Sequence, residues 1–203
     1  MNASARAPKG RLRARWRVVD IVVAAVIAVV GGVVFWAWDL AYEAPSGLLE
    51  AAVPGLSGLV SALWLFIGVL GAVIIRKPGA ALFTELVAAV LSMVLGAQYG
   101  VDTLVSGIAQ GLGAEIVFAL FLYRRFGLGV AVLAGAAAGA LETIHELIVW
   151  YSDAAPGWQT IYSVSLIVAG GIAGVIGWAL ARGLAATGVL DRFAAGRTRP
   201  RSA

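Results

Sequence analysis

The sequence predicts an all-α fold: a polytopic membrane protein in which six transmembrane helices form one bundle and both termini lie in the cytoplasm. Of its 203 residues, 61% are hydrophobic and only 13% are charged, whereas a soluble domain carries about 25% charged residues. All 15 basic residues fall in the terminal tails or at one end of an apolar run. Basic residues that flank membrane helices stay on the cytoplasmic side, and six crossings place all of them there.

Residues 1–17 are predicted to be a basic cytoplasmic tail followed by a retained first helix. The uncharged run Ile21–Trp38 is longer than the apolar core of a signal peptide, and no small-residue cleavage site follows it. We therefore predict helix 1 at Val18–Trp38, with its tryptophans in the interfacial belt. The next segment, Asp39–Val53, contains three acidic residues and is predicted to be an external loop that can fold back as a lid.

Basic pairs and a proline delimit the other helices. Arg76-Lys77 ends the second helix, and Pro78 suits the first turn of the third, where its missing N–H costs nothing. The predicted segments are helix 2 at Pro54–Ile75, helix 3 from Pro78 to Gly96, a turn at Ala97–Asp102, helix 4 at Thr103–Tyr123, helix 5 at Leu128–Tyr151, an external loop at Ser152–Gly157 and helix 6 at Trp158–Ala181. The membrane domain thus covers residues 18–182, and residues 183–203 form a second basic cytoplasmic tail.

Small residues recur at a spacing of four, which lets helix backbones approach closely in lipid. Packing inside the bundle is the general interpretation of such pairs. Ala24 and Ala28 are in addition candidates for contact with another subunit. The pairs are Ala24/Ala28, Gly107/Gly111, Gly135/Gly139 and Gly170/Gly174.

The sequence lacks the residues that several functional classes require. The chain has no cysteine, which excludes disulfides, thiolate metal sites and cysteine nucleophiles. His145-Glu146 resembles the start of H-E-x-x-H, but Val149 takes the place of the second histidine. Neither a phosphate-binding loop nor a G-x-S-x-G elbow occurs. The basic residues that give the net charge of +4 follow the positive-inside pattern of membrane proteins, so we predict no nucleic-acid partner. From the missing motifs we predict no enzyme, no cofactor and no metal site.

Polar residues inside predicted helices 3 and 4 are candidates for ligand binding. Glu85 lies in an apolar run, where an ionisable group is costly and is usually kept for a function; a purely structural role is the alternative. Thr103, Ser106 and Gln110 form one stripe on helix 4, and Gln110 is assigned to the ligand, with an interhelical hydrogen bond as the alternative. Glu115 lies about 140° away from Gln110 and is assigned to packing, a hydrogen bond or a contact with arginines.

Helix 5 adds the densest polar group. Its outer half places acidic and imidazole side chains on one face, with two aromatic rings near the mouth and two further candidates in the first external loop. Carboxylates beside aromatic faces suit a flat, cationic or protonatable heterocycle. The predicted substrate-binding residues are Glu85, Gln110, Glu142, His145, Glu146, Trp150, Tyr151, Tyr42 and Glu43.

Two segments carry a resemblance to a known family. Segment 76–85 reads RKPGAALFTE, and segment 107–115 reads GIAQGLGAE. They resemble the YkoE family, the substrate-binding (S) components of energy-coupling-factor (ECF) transporters linked to thiamine and its hydroxymethylpyrimidine precursor. The resemblance implies a six-helix S component in the plasma membrane. Its implied partners are a transmembrane coupling (T) subunit and two ABC-type ATPases.

The resemblance also bears on individual residues. It implies that Glu85 and Gln110 occupy polar motif positions, that Glu146 is the expected acidic residue of helix 5, and that Ala24/Ala28 is the motif that meets the T subunit. The chain departs from the family pattern at two positions. Ser92 replaces an expected second glutamate, and His145 stands where the family can have an aromatic residue.

The resulting functional prediction is a solute-binding subunit of an ATP-driven vitamin importer that binds thiamine or a related pyrimidine from outside. The alternative is a proton- or cation-coupled secondary carrier for an organic amine, with Glu85, Glu142 and Glu146 as relay groups. No internal repeat or pair of broken helices supports that carrier. An intramembrane enzyme lacks a complete catalytic set.

Overall fold

Seven α-helices and one 3₁₀ helix make up the described part of the chain, which in this computed structural model comprises residues 15–191, 193, 195 and 196. These residues contain no strand, and the all-α prediction is confirmed for them. The tails at 1–14 and 197–203 lie outside the described residues. The elements are α1 (Val18–Asp39), α2 (Glu43–Ala52), the 3₁₀ helix (Leu56–Leu63), α3 (Phe66–Ile75), α4 (Ala80–Val94), α5 (Asp102–Leu120), α6 (Leu128–Val149) and α7 (Pro156–Ala186).

The lengths of these helices identify five membrane spans and leave the sixth predicted span, α4, short. Five helical segments are long and apolar enough to cross a membrane, with Leu56–Ile75 counted as one of them. α4 has 15 residues, about 22 Å of helix, against a hydrocarbon core of about 30 Å. α1 turns large apolar side chains such as Val22, Val26 and Val30 outward, as expected of a lipid-facing helix. The chain is a helical membrane protein, and the sixth crossing depends on α4.

The predicted second helix is interrupted. A 3₁₀ helix covers Leu56–Leu63, and α3 begins only at Phe66. Runs of 3₁₀ helix longer than three or four residues are uncommon and often mark a hinge or a strained segment. This stretch lies close to α7: a Cβ atom on Gly58 would come within 2.4 Å of the Ser165 hydroxyl oxygen. The break places Trp64 between the two helical pieces.

The segment 39–53, predicted to be an external loop, is largely helical, and its external position stays a prediction. α2 occupies Glu43–Ala52, and Glu50 holds it against the bundle. The Glu50 carboxylate accepts hydrogen bonds from Ser57 Oγ (2.7 Å), Trp158 Nε1 (2.5 Å) and Gly55 N (3.0 Å). Burial by itself would raise the pKa of Glu50, but these hydrogen bonds to the ionised form outweigh it and lower the pKa.

Glu115 of α5 caps the start of α4. Its carboxylate accepts hydrogen bonds from the backbone N–H groups of Gly79 (2.6 Å) and Ala81 (2.9 Å), and from Tyr123 Oη (2.8 Å). The first N–H groups of a helix have no partner within the helix, so an anion there is stabilising. The hydrogen-bonding role predicted for Glu115 is confirmed.

Helix ends differ from the predicted ones for local reasons. α5 stops at Leu120 rather than Tyr123, because Leu122 and Tyr123 take left-handed backbone angles with φ of 52° and 53°. α7 continues to Ala186, five residues past the predicted end at Ala181. The N-terminal end of α1 is fixed by Asp20, which is fully buried and pairs with Arg17 and Lys77.

Small residues pack the helices against one another. A Cβ atom on Gly135 of α6 would lie 2.0 Å from the Gly170 carbonyl oxygen of α7, so only glycine permits this approach. Ala24 and Ala28 are both fully buried within the chain, in the helix that packs mainly on α4. Both methyl groups therefore pack inside the chain in this structure, and their contact with a partner subunit stays a prediction.

Candidate functional site

A cavity of about 150 Å³ lies at the end of the bundle where α1 and α6 finish and α5 begins. Five helical segments and three connecting segments contribute to its wall, and among the described residues no lysine or arginine lines it. The lining residues are Phe35, Asp39, Ser61, Trp64, Ala89, Ser92, Tyr99, Asp102, Thr103, Ser106, Gly107, Gln110, Glu142, His145, Glu146, Trp150 and Tyr151.

His145 lies between two carboxylates in this wall. Its Nε2 is 3.1 Å from Asp102 Oδ1, and its Nδ1 is 3.4 Å from Glu142 Oε1. Since a carboxylate only accepts hydrogen bonds, an imidazolium suits both contacts, with each N–H donating to one partner. Trp150 Nε1 donates to the other oxygen of Asp102 at 2.8 Å. α5 and α6 are thus joined by a network that borders the cavity.

Two polar atoms in the wall are buried without a partner among the described residues. One is Glu142 Oε2 and the other is Thr103 Oγ1. The second oxygen of Glu142 accepts from Ser106 Oγ, so only one side of this carboxylate is used within the chain. Buried polar atoms are nearly always hydrogen-bonded, and an exception at a cavity indicates a group reserved for a ligand or for water.

Asp39 joins three elements at the same cavity. Trp64 Nε1 donates to its Oδ1 at 3.1 Å, and Ser92 Oγ lies 3.5 Å from its Oδ2. Asp39 ends α1, Trp64 comes from the break before α3, and Ser92 belongs to α4. The serine that departs from the family pattern therefore lines the cavity and contacts a carboxylate from another helix.

Gln110 connects the cavity wall to Glu85 behind it. With its nitrogen turned toward the acceptors, the amide donates to Glu85 Oε1 at 3.1 Å and to the Trp64 carbonyl at 2.9 Å, and its oxygen then lies 2.9 Å from the Ser106 hydroxyl oxygen. The reverse orientation would set the amide oxygen against two acceptors. Glu85, exposed by only 1%, also accepts from Gly68 N at 2.5 Å.

Aromatic side chains surround the mouth. Tyr99 Oη donates to Tyr42 Oη at 3.0 Å, and the Tyr99 ring meets the Trp150 ring edge-on with centroids 5.9 Å apart. Burial, followed by the hydrogen bond to Tyr42, raises the pKa of Tyr99, which keeps its hydroxyl a neutral donor. On the opposite side, Tyr162 Oη donates to Glu146 Oε2 at 2.7 Å.

The structure brings six of the nine predicted site residues to the cavity wall and leaves three outside it. Glu85 faces α3 and reaches the cavity only through Gln110. Tyr42 stands behind Tyr99, and Glu43 is exposed on α2. These three do not border the cavity, and their direct contact with a ligand stays a prediction. The six lining residues are Gln110, Glu142, His145, Glu146, Trp150 and Tyr151.

Sequence reasoning missed two carboxylates of the wall. Asp102 is four residues before Ser106 and eight before Gln110, so it extends the same helical stripe; it was assigned to a turn because the start of α5 was placed one residue late. Asp39 follows Phe35 by four and continues the buried face of α1. Nothing in the sequence marks Trp64, because its position depends on the break in the predicted helix 2.

Comparison with known proteins agrees with this architecture. Residues 19–141 match the family described as ABC-type cobalt transport system, permease component. The chain is 35% identical over 184 residues to a Bacillus subtilis (strain 168) protein whose name assigns it provisionally as the HMP/thiamine permease protein YkoE, covering 90% of this chain and 91% of that one. A crystal structure of an S component of an ECF transporter superposes with a TM-score of 0.82 at 35% identity, covering 90% and 92% of the two chains.

A membrane helix bundle with a cavity rich in carboxylates and aromatic rings near one end defines a solute-binding transport protein. Its relatives are transporter components rather than enzymes, as predicted. The chain belongs to the YkoE family of S components of ECF transporters. The description of the matched family names cobalt, yet in the part of the chain that the structure describes, no three His, Cys, Asp or Glu residues are grouped to hold a metal ion.

Proposed function

We propose that this chain binds thiamine or a related pyrimidine at the cavity between α1, α5 and α6, and delivers it to an ATP-driven importer. The observation that carries the proposal is the wall itself, where four carboxylates and one imidazole face the cavity and no lysine or arginine of the described residues joins them. Such a wall favours a cationic or protonatable ligand. The name of the Bacillus subtilis relative supports the choice of a pyrimidine.

The free atoms of the wall suit a nitrogen heterocycle. Glu142 Oε2 accepts from an amino group or a protonated ring nitrogen, and Thr103 Oγ1 donates to or accepts from a second ring atom. Both are buried without a partner among the described residues. Trp64, Trp150 and Tyr151 offer ring faces and edges to the same space.

The cavity volume bears on the choice of ligand. A cavity of about 150 Å³ holds one six-membered ring, as an engineered apolar cavity of that size holds benzene. The present cavity, about 150 Å³, therefore suits hydroxymethylpyrimidine, whereas the second ring of thiamine requires the mouth to open. The opening involves Tyr42 and α2, which cover this end.

The proposed partners follow from the family. An S component supplies no ATP-binding motif, so a transmembrane T subunit and two ABC-type ATPases provide the energy. We propose that the protein resides in the plasma membrane with both termini cytoplasmic, because basic residues flank the end of the bundle opposite the cavity. The cavity then faces outward and receives solute from outside.

Equilibrium binding to the purified protein tests the ligand. Intrinsic tryptophan fluorescence would be measured with hydroxymethylpyrimidine, thiamine, riboflavin and Co²⁺, for the wild type, Glu142→Gln, Glu146→Gln and the exposed control Glu43→Gln. We expect saturable quenching by a pyrimidine compound, at least tenfold weaker in Glu142→Gln, since a charge-assisted hydrogen bond is worth roughly 1.5–3 kcal/mol. Glu43→Gln should bind like the wild type.

Two results would overturn the proposal. One is the absence of quenching by either pyrimidine compound from a folded, monodisperse protein; the other is equal weakening by Glu43→Gln. Saturable quenching by Co²⁺, with none by the pyrimidine compounds, would indicate metal transport instead. Transport by the isolated chain in proteoliposomes under an ion gradient, without ATPase subunits, would favour the secondary carrier.

A further inference from the structure

A second cavity lies at the other end of the bundle. It has a volume of about 580 Å³ and is formed where α3, α5 and α7 end and α6 begins. Three arginines from three separate parts of the chain line it, together with two aromatic rings and small apolar residues; no carboxylate of the described residues does. Its lining residues are Val73, Arg76, Arg124, Phe126, Gly127, Trp178, Ala181, Arg182, Ala185, Ala186 and Ala195.

Arg76 is the innermost cation of this cavity. It ends α3 in a left-handed conformation with φ of 55°, which a residue other than glycine adopts only at an energetic cost. Its guanidinium carbon lies 5.3 Å from the centre of the Phe126 ring, and its Nε donates to the Val73 carbonyl at 3.1 Å. Burial lowers the pKa of Arg76, but a guanidinium stays protonated in proteins.

The other two arginines are oriented toward solvent at the rim. Arg182 lies over the Trp178 ring at 4.9 Å, so an aromatic face holds its planar group in position. Arg124 belongs to the connection between α5 and α6 and is exposed. Within the described residues, neither Arg124 nor Arg182 forms an ion pair with a carboxylate. Positive charge is thus concentrated at one cavity, and none of its described lining residues is acidic.

We propose that this basic cavity binds a phosphate-bearing anion, and that the anion is the headgroup of an acidic phospholipid. Arginine forks match phosphate oxygens, often through two parallel hydrogen bonds. The cavity opens at the level where the spans end, the depth at which lipid phosphates lie, and basic pockets between membrane helices bind anionic headgroups. Ala181, Ala185 and Trp178 give the same cavity an apolar side that suits the glycerol and the start of an acyl chain.

This site is separate from the proposed vitamin site. The two cavities lie at opposite ends of the bundle, since α5 begins at one with Asp102 and ends near the other at Leu120. They share no lining residue. Loss of anion binding therefore should leave pyrimidine binding unchanged, and failure of either proposal does not affect the other.

Native mass spectrometry of the delipidated full chain tests the proposal. The protein would be titrated with phosphatidylglycerol, with phosphatidylcholine of the same acyl chains, and in a separate arm with inorganic phosphate. The variants are Arg124→Gln and Arg182→Gln, and the matched control is Arg125→Gln, which removes the same charge from the neighbouring position outside the cavity. We expect preferential binding of phosphatidylglycerol, weakened about fivefold by each cavity variant, the effect of roughly 1 kcal/mol per basic residue.

The possible results distinguish a lipid headgroup from free phosphate as the bound anion. One possible result is that inorganic phosphate binds, that both cavity variants weaken its binding, and that the protein does not prefer phosphatidylglycerol. This result would support the anion site but overturn the lipid headgroup as its occupant. Equal binding of the two lipids, or an equal effect of Arg125→Gln, would overturn the site itself. Should a glutamine variant fail to fold, Arg182→Lys, which keeps the charge but loses the planar fork, takes its place with a smaller expected loss.

Discussion

Single carboxylates in this protein differ in how completely the chain satisfies them. Glu115 lies in a membrane helix, where an ionisable group is by default a functional candidate. Its oxygens, however, receive hydrogen bonds from Gly79, Ala81 and Tyr123, which leaves it a structural cap. Glu142 has one buried oxygen without a partner among the described residues. The count of donors thus separates a structural carboxylate from the one that we propose binds a ligand.

The bond between Tyr123 and Glu115 gives a pH prediction. Burial, and then the hydrogen bond to Glu115, raises the pKa of Tyr123 to about 12, compared with about 10 for an unperturbed tyrosine. The folded state therefore holds this proton more tightly than the unfolded state does. The stability that it contributes is fully present below pH 10 and is lost as the pH rises toward 12.

The variant Tyr123→Phe isolates this effect, because phenylalanine has no proton to lose. We expect wild type to be more stable than Tyr123→Phe at pH 8 by about 1 kcal/mol, one hydrogen bond, and the difference to shrink at pH 11. Thermal unfolding in detergent at the two pH values measures it. A difference that stays constant or grows with pH would contradict the assignment.

Two pairs of helices, α6 with α7 and the 3₁₀ helix with α7, pack through close backbone contacts. α6 and α7 approach so closely that a Cβ atom on Gly170 would be 2.1 Å from the Gly135 carbonyl oxygen. The 3₁₀ helix approaches α7 in a similar way through Gly55 and Gly58. Since lipid supplies no hydrophobic force between helices, this packing holds the elements together. It also fixes the separation of the two helices, α6 and α7, that bring Glu146 and Tyr162 into contact.

Neighbouring glycines of α7 provide a matched test of this packing. Gly170→Ala inserts a methyl group against the α6 backbone and should destabilise the protein by about 1–3 kcal/mol, the usual effect of overpacking. Gly171→Ala meets only Val132 Cγ1, at 3.8 Å, and should be neutral or slightly stabilising, because alanine favours a helix over glycine. Unfolding midpoints in detergent compare the two. Similar midpoints for both variants would contradict the close approach.

The molecule as a whole has two chemically opposite ends. One holds a cavity with carboxylates and a single imidazole, and the other holds a cavity with arginines. The positive-inside pattern predicts that the arginine end is cytoplasmic. Orientation and the number of crossings are linked, because an even number places both termini on one side. If the 15-residue α4 did not cross, the termini would lie on opposite sides.

Cysteine labelling tests the orientation and the crossing number together. The chain contains no cysteine, so single substitutions Ser4→Cys, Ser152→Cys and Ser202→Cys report one position each. With a membrane-impermeant maleimide on intact cells, we expect labelling of Ser152→Cys only, and labelling of the two tail positions after permeabilisation. Opposite behaviour of Ser4→Cys and Ser202→Cys would show five crossings. Protection of Ser152→Cys in intact cells would reverse the orientation.

The class of protein and much of its local chemistry can be predicted from the amino-acid order alone. The length of apolar runs indicates membrane helices whatever their partners, and α1 and α6 begin where predicted, at Val18 and Leu128. Helical periodicity brought Glu142, His145 and Glu146 to one face of α6, because a spacing of three or four residues is a property of the helix alone. The small-residue spacing likewise marked Gly135 and Gly170 as packing positions.

Which polar groups share a cavity depends on how the helices pack together. The rotation of α4 turns Glu85 toward α3, and the break before Phe66 brings Trp64 to Asp39; both depend on contacts between helices distant in sequence. The burial of Ala24 and Ala28 was decided by the packing of α1 on α4. Periodicity specifies the faces of a helix, but its neighbours determine what each face meets, because in lipid that choice depends on detailed packing.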